Sequence, residues 1–153
     1  MSFRPAVRKD LLSISRMWLS LSRDVGRLSP SLEPSESAAA AVLGKLRSAI
    51  SSGMERVMVC ETGGKIVGFA WASIERQSTK KVKKICFLDD IFVLKGNRSA
   101  GVGKTLVRSI EGWARAKGAR FIILATHVKN RRAISFYGRE GFRPMILKME
   151  KRT

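Results

Sequence analysis

The chain of 153 residues and 17.0 kDa is long enough for one compact domain with its own core and too short for two ordinary ones, so residues 1–153 read as a single domain. Its longest uninterrupted apolar run, Ala38 to Leu43, falls far short of the roughly 20 residues that a membrane span requires, which excludes a transmembrane helix. Thirty Lys and Arg against 12 Asp and Glu leave a formal charge of +18, and such a surface favours anionic partners.

The opening stretch, Met1 to Asp10, has no apolar core of the kind a secretory signal carries, and the expected location is the cytoplasm. Cys60 and Cys86 lie in apolar stretches without CxxC spacing, a pattern expected of buried reduced thiols. The only histidine, His127, has no Cys or acidic neighbours at ligand spacing, so no metal site is expected and a loop position is.

In chain order, Ser2 to Val7 reads as a first strand. Leu11, Ile14, Trp18 and Leu21 then mark one face of a helix, with Asp10 as its expected cap. The segment Gly26 to Ser37, with Pro30, Pro34 and several serines, breaks the periodicity before Ala39, Val42, Leu43, Leu46 and Ile50 restore it in a second helix. Val57 to Cys60 and Ile66 to Ile74 read as two antiparallel strands joined by a tight turn at Gly63-Gly64. After the basic stretch Arg76 to Lys84 comes a strand over Ile85 to Leu94, interrupted by Asp89 and Asp90. A helix through Val102, Leu106, Ile110 and Trp113 stops at Lys117-Gly118, Phe121 to Ala125 reads as a short buried strand, and a last helix covers Asn130 to Arg139. Phe142 to Met149 reads as a final strand, with Pro144 at an edge or bulge. The predicted order is β-α-α-β-β-β-α-β-α-β, an α/β chain of the mixed α+β kind, and Trp18, Trp71 and Trp113 fall on its apolar faces.

The stretch Arg98-Ser99-Ala100-Gly101-Val102-Gly103-Lys104 joins a strand to a helix, where unpaired amides and the positive end of the helix dipole gather. Glycines there let a ligand approach the backbone, and Arg98 and Lys104 add full charges, so the turn is an anion cradle. A P-loop would need a glycine where Arg98 stands, and a dinucleotide fingerprint would need one at Leu106, so both fail. A third pattern, Arg or Gln, two residues, Gly, one residue, then Gly or Ala, is met by Arg98, Gly101 and Gly103. A second block, Asn130 to Phe142, runs N-x-x-A-x-x-F-Y-x-x-x-G-F. With these two blocks in order, the chain resembles the GNAT superfamily of acetyl-CoA-dependent N-acetyltransferases, from Ser2 to Met149. Ser99 departs from it, since many members carry a glycine there.

The resemblance implies a central, mostly antiparallel sheet splayed between the strands at Ile85–Leu94 and Phe121–Thr126, with acetyl-CoA in the gap. Backbone groups of Ile91, Phe92 and Val93 would bond its pantetheine arm, and Arg98, Ser99, Ala100, Gly101, Val102, Gly103 and Lys104 would hold its pyrophosphate, with Asn130 and Phe136 alongside. Tyr137 would protonate the departing thiolate. Asp89 and Asp90, adjacent on a strand, are expected on opposite faces, and Asp89 is favoured as base or amine anchor, a role weighed evenly against simple neutralisation of nearby cations.

The resemblance thus implies an N-acetyltransferase acting on a primary amine, whether a protein lysine or N-terminus, a polyamine or a small amine, by direct attack in a ternary complex. Asp24, Glu33 and Glu36 lie near the acceptor loop. Two other readings stand beside it: a basic nucleic-acid-binding module, motivated by +18 and by Arg76, Lys80, Lys81, Lys83 and Lys84, and an acyl-CoA sensor without catalysis on the same fold. The chain has no zinc-finger spacing and no aromatic RNA-binding strand, so only weak, non-specific nucleic-acid association is expected. No membrane partner is expected, and a homodimer is left open.

Overall fold

A computed structural model describes residues 1–153. The elements are β1 (Ser2–Pro5), α1 (Leu11–Gly26), α2 (Ala38–Ala49), β2 (Glu55–Thr62), β3 (Lys65–Arg76), β4 (Lys84–Val93), α3 (Val102–Ala116), β5 (Ile122–Ile123) and α4 (Arg131–Arg139), with single 3-10 turns at Arg8–Asp10, Pro30–Leu32 and Lys95–Asn97. The strands form one five-stranded sheet in the order β1-β2-β3-β4-β5, antiparallel until the last pairing, β4 with β5, which is parallel.

Two apolar layers sandwich the sheet. On one face Ile14, Leu46, Val57, Val59, Phe69 and Trp71 pack beneath α1 and α2. On the other, Ala70, Ala72, Cys86, Leu88, Leu106 and Ile110 pack beneath α3. Alternation along β3 divides these residues, with Phe69 and Trp71 on one side and Ala70 and Ala72 on the other. Small residues on the α3 side let that helix lie close; a Cβ on Gly68 would stand 3.0 Å from the Phe92 carbonyl oxygen and 3.2 Å from a Val102 methyl. Both cysteines are buried and free.

Turn chemistry behaves as the residues dictate. Gly63 and Gly64 take φ of 57° and 74° in the β2–β3 hairpin. Gly118 and Gly141, at 81° and 89°, close α3 and α4. Asp10, expected to cap α1, makes no such bond; its Oδ2 reaches back to accept the Val7 amide at 2.8 Å, and Arg4 donates to both its oxygens at 2.7 and 3.0 Å. That guanidinium first, with the Val7 amide, holds the buried Asp10 carboxyl below the usual carboxylate range despite its burial.

Two expectations are corrected. The strand expected over Phe121 to Ala125 shrinks to Ile122–Ile123, because β5 meets β4 only at Cys86↔Ile122 and Phe87↔Ile123 before the chains part. The final strand expected over Phe142 to Met149 does not form: beyond the Phe142 amide, which donates to the Tyr137 carbonyl, this segment makes no backbone hydrogen bond, since no strand lies beside it. Alternating side chains give a segment strand propensity, but a strand also needs a neighbour.

Candidate active site

The turn after β4 is built to leave its donors free. After Arg98, the amides of Ser99, Ala100, Gly101, Val102, Gly103 and Lys104 donate to no atom of the protein; the first intrahelical bond of α3 is from the Thr105 amide to the Gly101 carbonyl, at 3.0 Å. Ser99 and Gly101 both sit at positive φ, 74° and 76°, and this alternation curls the chain into a concave row of N–H groups ahead of the helix. Ser99 holds a conformation that costs a side-chain-bearing residue energy, which explains why glycine suits the position. Arg98 is fixed rather than mobile: its Nε donates to the Val93 carbonyl at 2.8 Å and its guanidinium lies 5.6 Å from the centre of the Phe92 ring. Its terminal nitrogens make no hydrogen bond within the protein and remain available to an anion.

Beside this turn the sheet is open. Once β5 leaves β4 after Phe87, the edge of β4 from Leu88 to Val93, carrying Ile91, Phe92 and Val93, has no strand against it on that side. The gap between the diverging strands therefore has unpaired β4 backbone on one wall and the amide row at one end.

The block after Asn130 covers the start of α3. Asn130 caps α4, its Oδ1 accepting the Ala133 amide at 3.2 Å, so only its amide nitrogen is left to meet a ligand. Phe136 leans on Gly103: a Cβ there would stand 3.2 Å from the ring. Phe136 also stacks with Tyr137 at 5.3 Å between ring centres, and Tyr137 meets Phe142 edge-on at 5.7 Å. Burial, then the charge of Asp90, pushes the Tyr137 phenol up to about 12.

The acidic pair departs from expectation. The register runs Trp71↔Asp90 and then Ala72↔Leu88, leaving Asp89 as the extra residue of a β-bulge. A bulge reverses the alternation, and the two carboxylates face the same side, not opposite ones. Asp89 accepts from the Ser73 hydroxyl at 2.8 Å, while Asp90 stands opposite Trp71, two residues along β3 from Ser73. Glu55, across from Ser73, accepts the Trp71 indole N–H at 3.1 Å on that face too, and Glu75 lies two residues beyond Ser73. Four of the chain's 12 acidic residues thus share the α1/α2 face of β2, β3 and β4, in a protein of charge +18.

The consequences are electrostatic. Burial raises the Asp89 carboxyl, partly offset by the Ser73 hydroxyl, with Glu55 and Glu75 raising it further. Burial, then Asp89, raises Asp90 to about 6, with Trp18 and Lys45 pulling it back. The Asp90 charge in turn raises the Tyr137 phenol, so acid and carboxylate act on one another's titration. Sequence reasoning missed this partnership, along with Glu55, Ser73 and Glu75; the adjacency of two aspartates was its only visible trace.

Among the remaining candidates, His127 lies in a loop, its Nδ1 accepting the Lys129 amide at 3.1 Å. Asp24 pairs with Arg27 at 3.1 Å on the surface of α1. Lys80, Lys81 and Lys83 are exposed on the β3–β4 loop. Trp18, Trp71 and Trp113 all pack in or against the apolar layers.

A family model, the acetyltransferase (GNAT) family, matches residues 24–142. The chain belongs to the GNAT family. The match spans the amide turn, the bulged strand and the block from Asn130 to Phe142. Among curated GNAT-type relatives, an uncharacterized N-acetyltransferase of Methanocaldococcus jannaschii is 34% identical over 84 residues, 55% of this chain and 37% of that protein. The glucosamine 6-phosphate N-acetyltransferase of Trypanosoma brucei brucei is 31% identical over 88 residues, 58% of each. The chain therefore spans between about a third and three fifths of the length of these relatives. Solved structures agree on the fold over the full length: a mutant BH1408 protein from Bacillus halodurans aligns with a TM-score of 0.90 at 20% identity, covering 100% of this chain and 99% of that one. The aminoglycoside N-acetyltransferase AAC(6')-Iy in complex with CoA aligns at 0.76 and 21% identity, covering 99% and 93%.

Proposed function

We propose that the protein transfers an acetyl group from acetyl-CoA to a cationic primary amine. The row of unpaired amides from Ser99 to Lys104, opening onto the unpaired edge of β4, carries this reading. An anion held there is met by N–H groups, the positive end of α3 and the free nitrogens of Arg98, a set suited to a pyrophosphate. An extended arm leading from it along Ile91 to Val93 would be bound as an added strand. Its thioester then lies towards Tyr137.

The acceptor approaches from the α1/α2 face. Asp89, Glu55 and Glu75 attract a protonated amine, and we assign Asp89, earlier favoured as base or anchor, to anchoring. Asp90 is the better base: near 6, it is mostly ionised at neutral pH yet basic enough to take a proton from an ammonium or through water. The freed amine attacks the thioester carbonyl, the tetrahedral intermediate collapses, and Tyr137, protonated throughout the neutral range, gives its proton to the coenzyme thiolate, while the proton shed by the new amide nitrogen returns through water to the tyrosinate. The products are an acetamide and free coenzyme A. A polyamine, a protein lysine or N-terminus and a small amine all satisfy this chemistry.

The test is release of free thiol from acetyl-CoA in the presence of each acceptor class, alongside calorimetry with acetyl-CoA. Cationic amines should support release and neutral hydroxyl compounds should not. Arg98→Glu should weaken acetyl-CoA binding by about 1.5–3 kcal/mol, the worth of a charge-assisted hydrogen bond. Unchanged affinity in the folded variant would remove the pyrophosphate reading.

A further inference from the structure

The two ends of α3 present different surfaces. Its N-terminal end carries the amide turn. Its C-terminal end, 15 residues and therefore roughly 22 Å further on, borders a basic cleft of about 430 Å³. Lys81, Val82, Lys83, Lys84, Gly118 and Arg120 line that cleft, four bases and no acid. The topology gathers these charges, since β3 ends at Arg76, β4 begins opposite it at Lys84, and Lys84 reaches the end of α3.

The cleft is held in shape by hydrogen bonds. The Gln77 amide donates to the Lys83 carbonyl at 2.9 Å, and Lys83 Nζ donates to the Ser78 carbonyl at 2.9 Å, which ties the β3–β4 loop. Lys84 Nζ donates to the Lys117 carbonyl at 2.9 Å, where the negative end of the α3 dipole favours an ammonium. An ammonium has three donors, so Lys83 and Lys84 each keep two for a ligand. Lys81 and Arg120 are exposed and enter none of the protein's ion pairs, whose bases are Arg4, Arg27 and Arg115.

The composition of the walls selects the ligand. Val82 is the one apolar residue among them, whereas a protein interface has an apolar centre and a pocket for a small metabolite is mostly apolar. Four cations without an opposing charge match a row of phosphates instead. Arg120 also lines the groove between α3 and β5, in whose wall Phe121 stands 56% exposed. Cations in a channel beside an exposed aromatic ring suit a single strand, with phosphates on the cations and a base stacked on the ring. From this we infer that the cleft at the C-terminal end of α3 seats a single-stranded nucleic acid, independently of its sequence. The inference does not rest on acetyl transfer, and the cleft shares no residue with the amide turn.

The experiment is fluorescence anisotropy of a labelled single strand of about 12 nucleotides across a salt series. Lys81→Glu combined with Arg120→Glu reverses two charges in the cleft. Arg16→Glu combined with Arg47→Glu makes the same change in net charge on the exposed surfaces of α1 and α2, and circular dichroism checks both folds. The cleft pair should lose affinity about 30-fold or more at low salt, with a salt slope shallower by about 1.4 for two lost phosphate contacts, and the helix pair less than about 3-fold. Phe121→Ala should cost the single strand about 5-fold or more and leave a duplex of the same sequence unaffected. Saturating acetyl-CoA should not displace the strand. Equal losses in the two pairs would mean that charge spread over the surface attracts the strand, and would overturn the inference. Displacement by acetyl-CoA would place the strand on the amide turn and overturn it too. Tripolyphosphate or poly-glutamate competing as tightly as unlabelled strand would make the ligand a small anion or an acidic peptide, with the same result. Wild-type affinity in Phe121→Ala, or a duplex bound as tightly as the strand, would also overturn it.

Discussion

Tyr137 and Asp90 sit on different elements yet share one electrostatic environment, and each makes a separable prediction. Tyr137→Phe keeps the ring packed between Phe136 and Phe142 and removes only the proton donor, so turnover should fall about 10²–10⁴-fold with acetyl-CoA affinity little changed, as steady-state kinetics and calorimetry would read. Equal turnover would mean that water protonates the thiolate. For Asp90, kcat/KM should rise through about pH 6 as the carboxyl ionises, and Asp90→Asn should abolish that limb. The same substitution carries a stability consequence of opposite sign. Because the folded carboxyl titrates near 6 and the ordinary value is 3.8, the folded state binds more protons between those values, and stability falls as pH rises through them. Removing the charge should therefore stabilise the protein at neutral pH, on the order of 1–2 kcal/mol in chemical denaturation, while it loses activity. If Asp89→Asn alone reproduced the kinetic loss and the pH effect, the base would be Asp89.

The turn between β4 and α3 is an element whose shape is set by backbone conformation more than by side chains. Ser99 occupies left-handed space at φ of 74°, a strain of about 1–2 kcal/mol for a residue with a Cβ, partly offset by the greater entropy that a glycine loses on folding. Ser99→Gly should thus raise stability by about 0.5–1 kcal/mol in thermal or denaturant unfolding and leave the amide row intact. A destabilised variant would show that the Ser99 side chain holds the turn. Strand β4 makes a similar point: its bulge at Asp89 moves one carboxylate onto the face of the other, and the parting of β5 two residues earlier leaves the gap open. Elements that deviate from regular geometry here are those that form the candidate site.

Charge is the property of the molecule that no single element explains. With 30 basic and 12 acidic residues, and four of the acids gathered on the α1/α2 face, the rest of the surface is more basic still. Association with nucleic acid should be measurable at low salt and fall steeply as salt rises, because phosphate contacts release counterions. Fluorescence anisotropy with a defined oligonucleotide and its scramble should give equal affinities, since no element reads base edges. A sequence preference persisting at physiological salt, in a protein that fails to bind acetyl-CoA, would favour the nucleic-acid module over the enzyme.

Local chemistry made much of this legible in the chain. The Gly63-Gly64 hairpin, the αL closures at Gly118 and Gly141, the faces of α1, α2 and α3 and the amide turn after Arg98 all depend on residues within a few positions of one another, and each stands where periodicity and turn chemistry put it. The family was readable for the same reason, through the turn at Arg98–Gly103 and the block at Asn130–Phe142. What required the tertiary structure was every feature that depends on a partner distant in sequence. Asp10 turns to Arg4 instead of capping α1, and Arg4 is held there by Glu61 of β2, 57 residues away, which accepts from the same guanidinium at 2.6 Å. The shared face of Asp89 and Asp90 comes from a bulge that exists only in the register of β4 against β3. The segment Phe142 to Met149 has the alternation of a strand and is not one, since a strand's backbone bonds are made to another strand, and nothing in a segment's own residues says whether that neighbour is within reach.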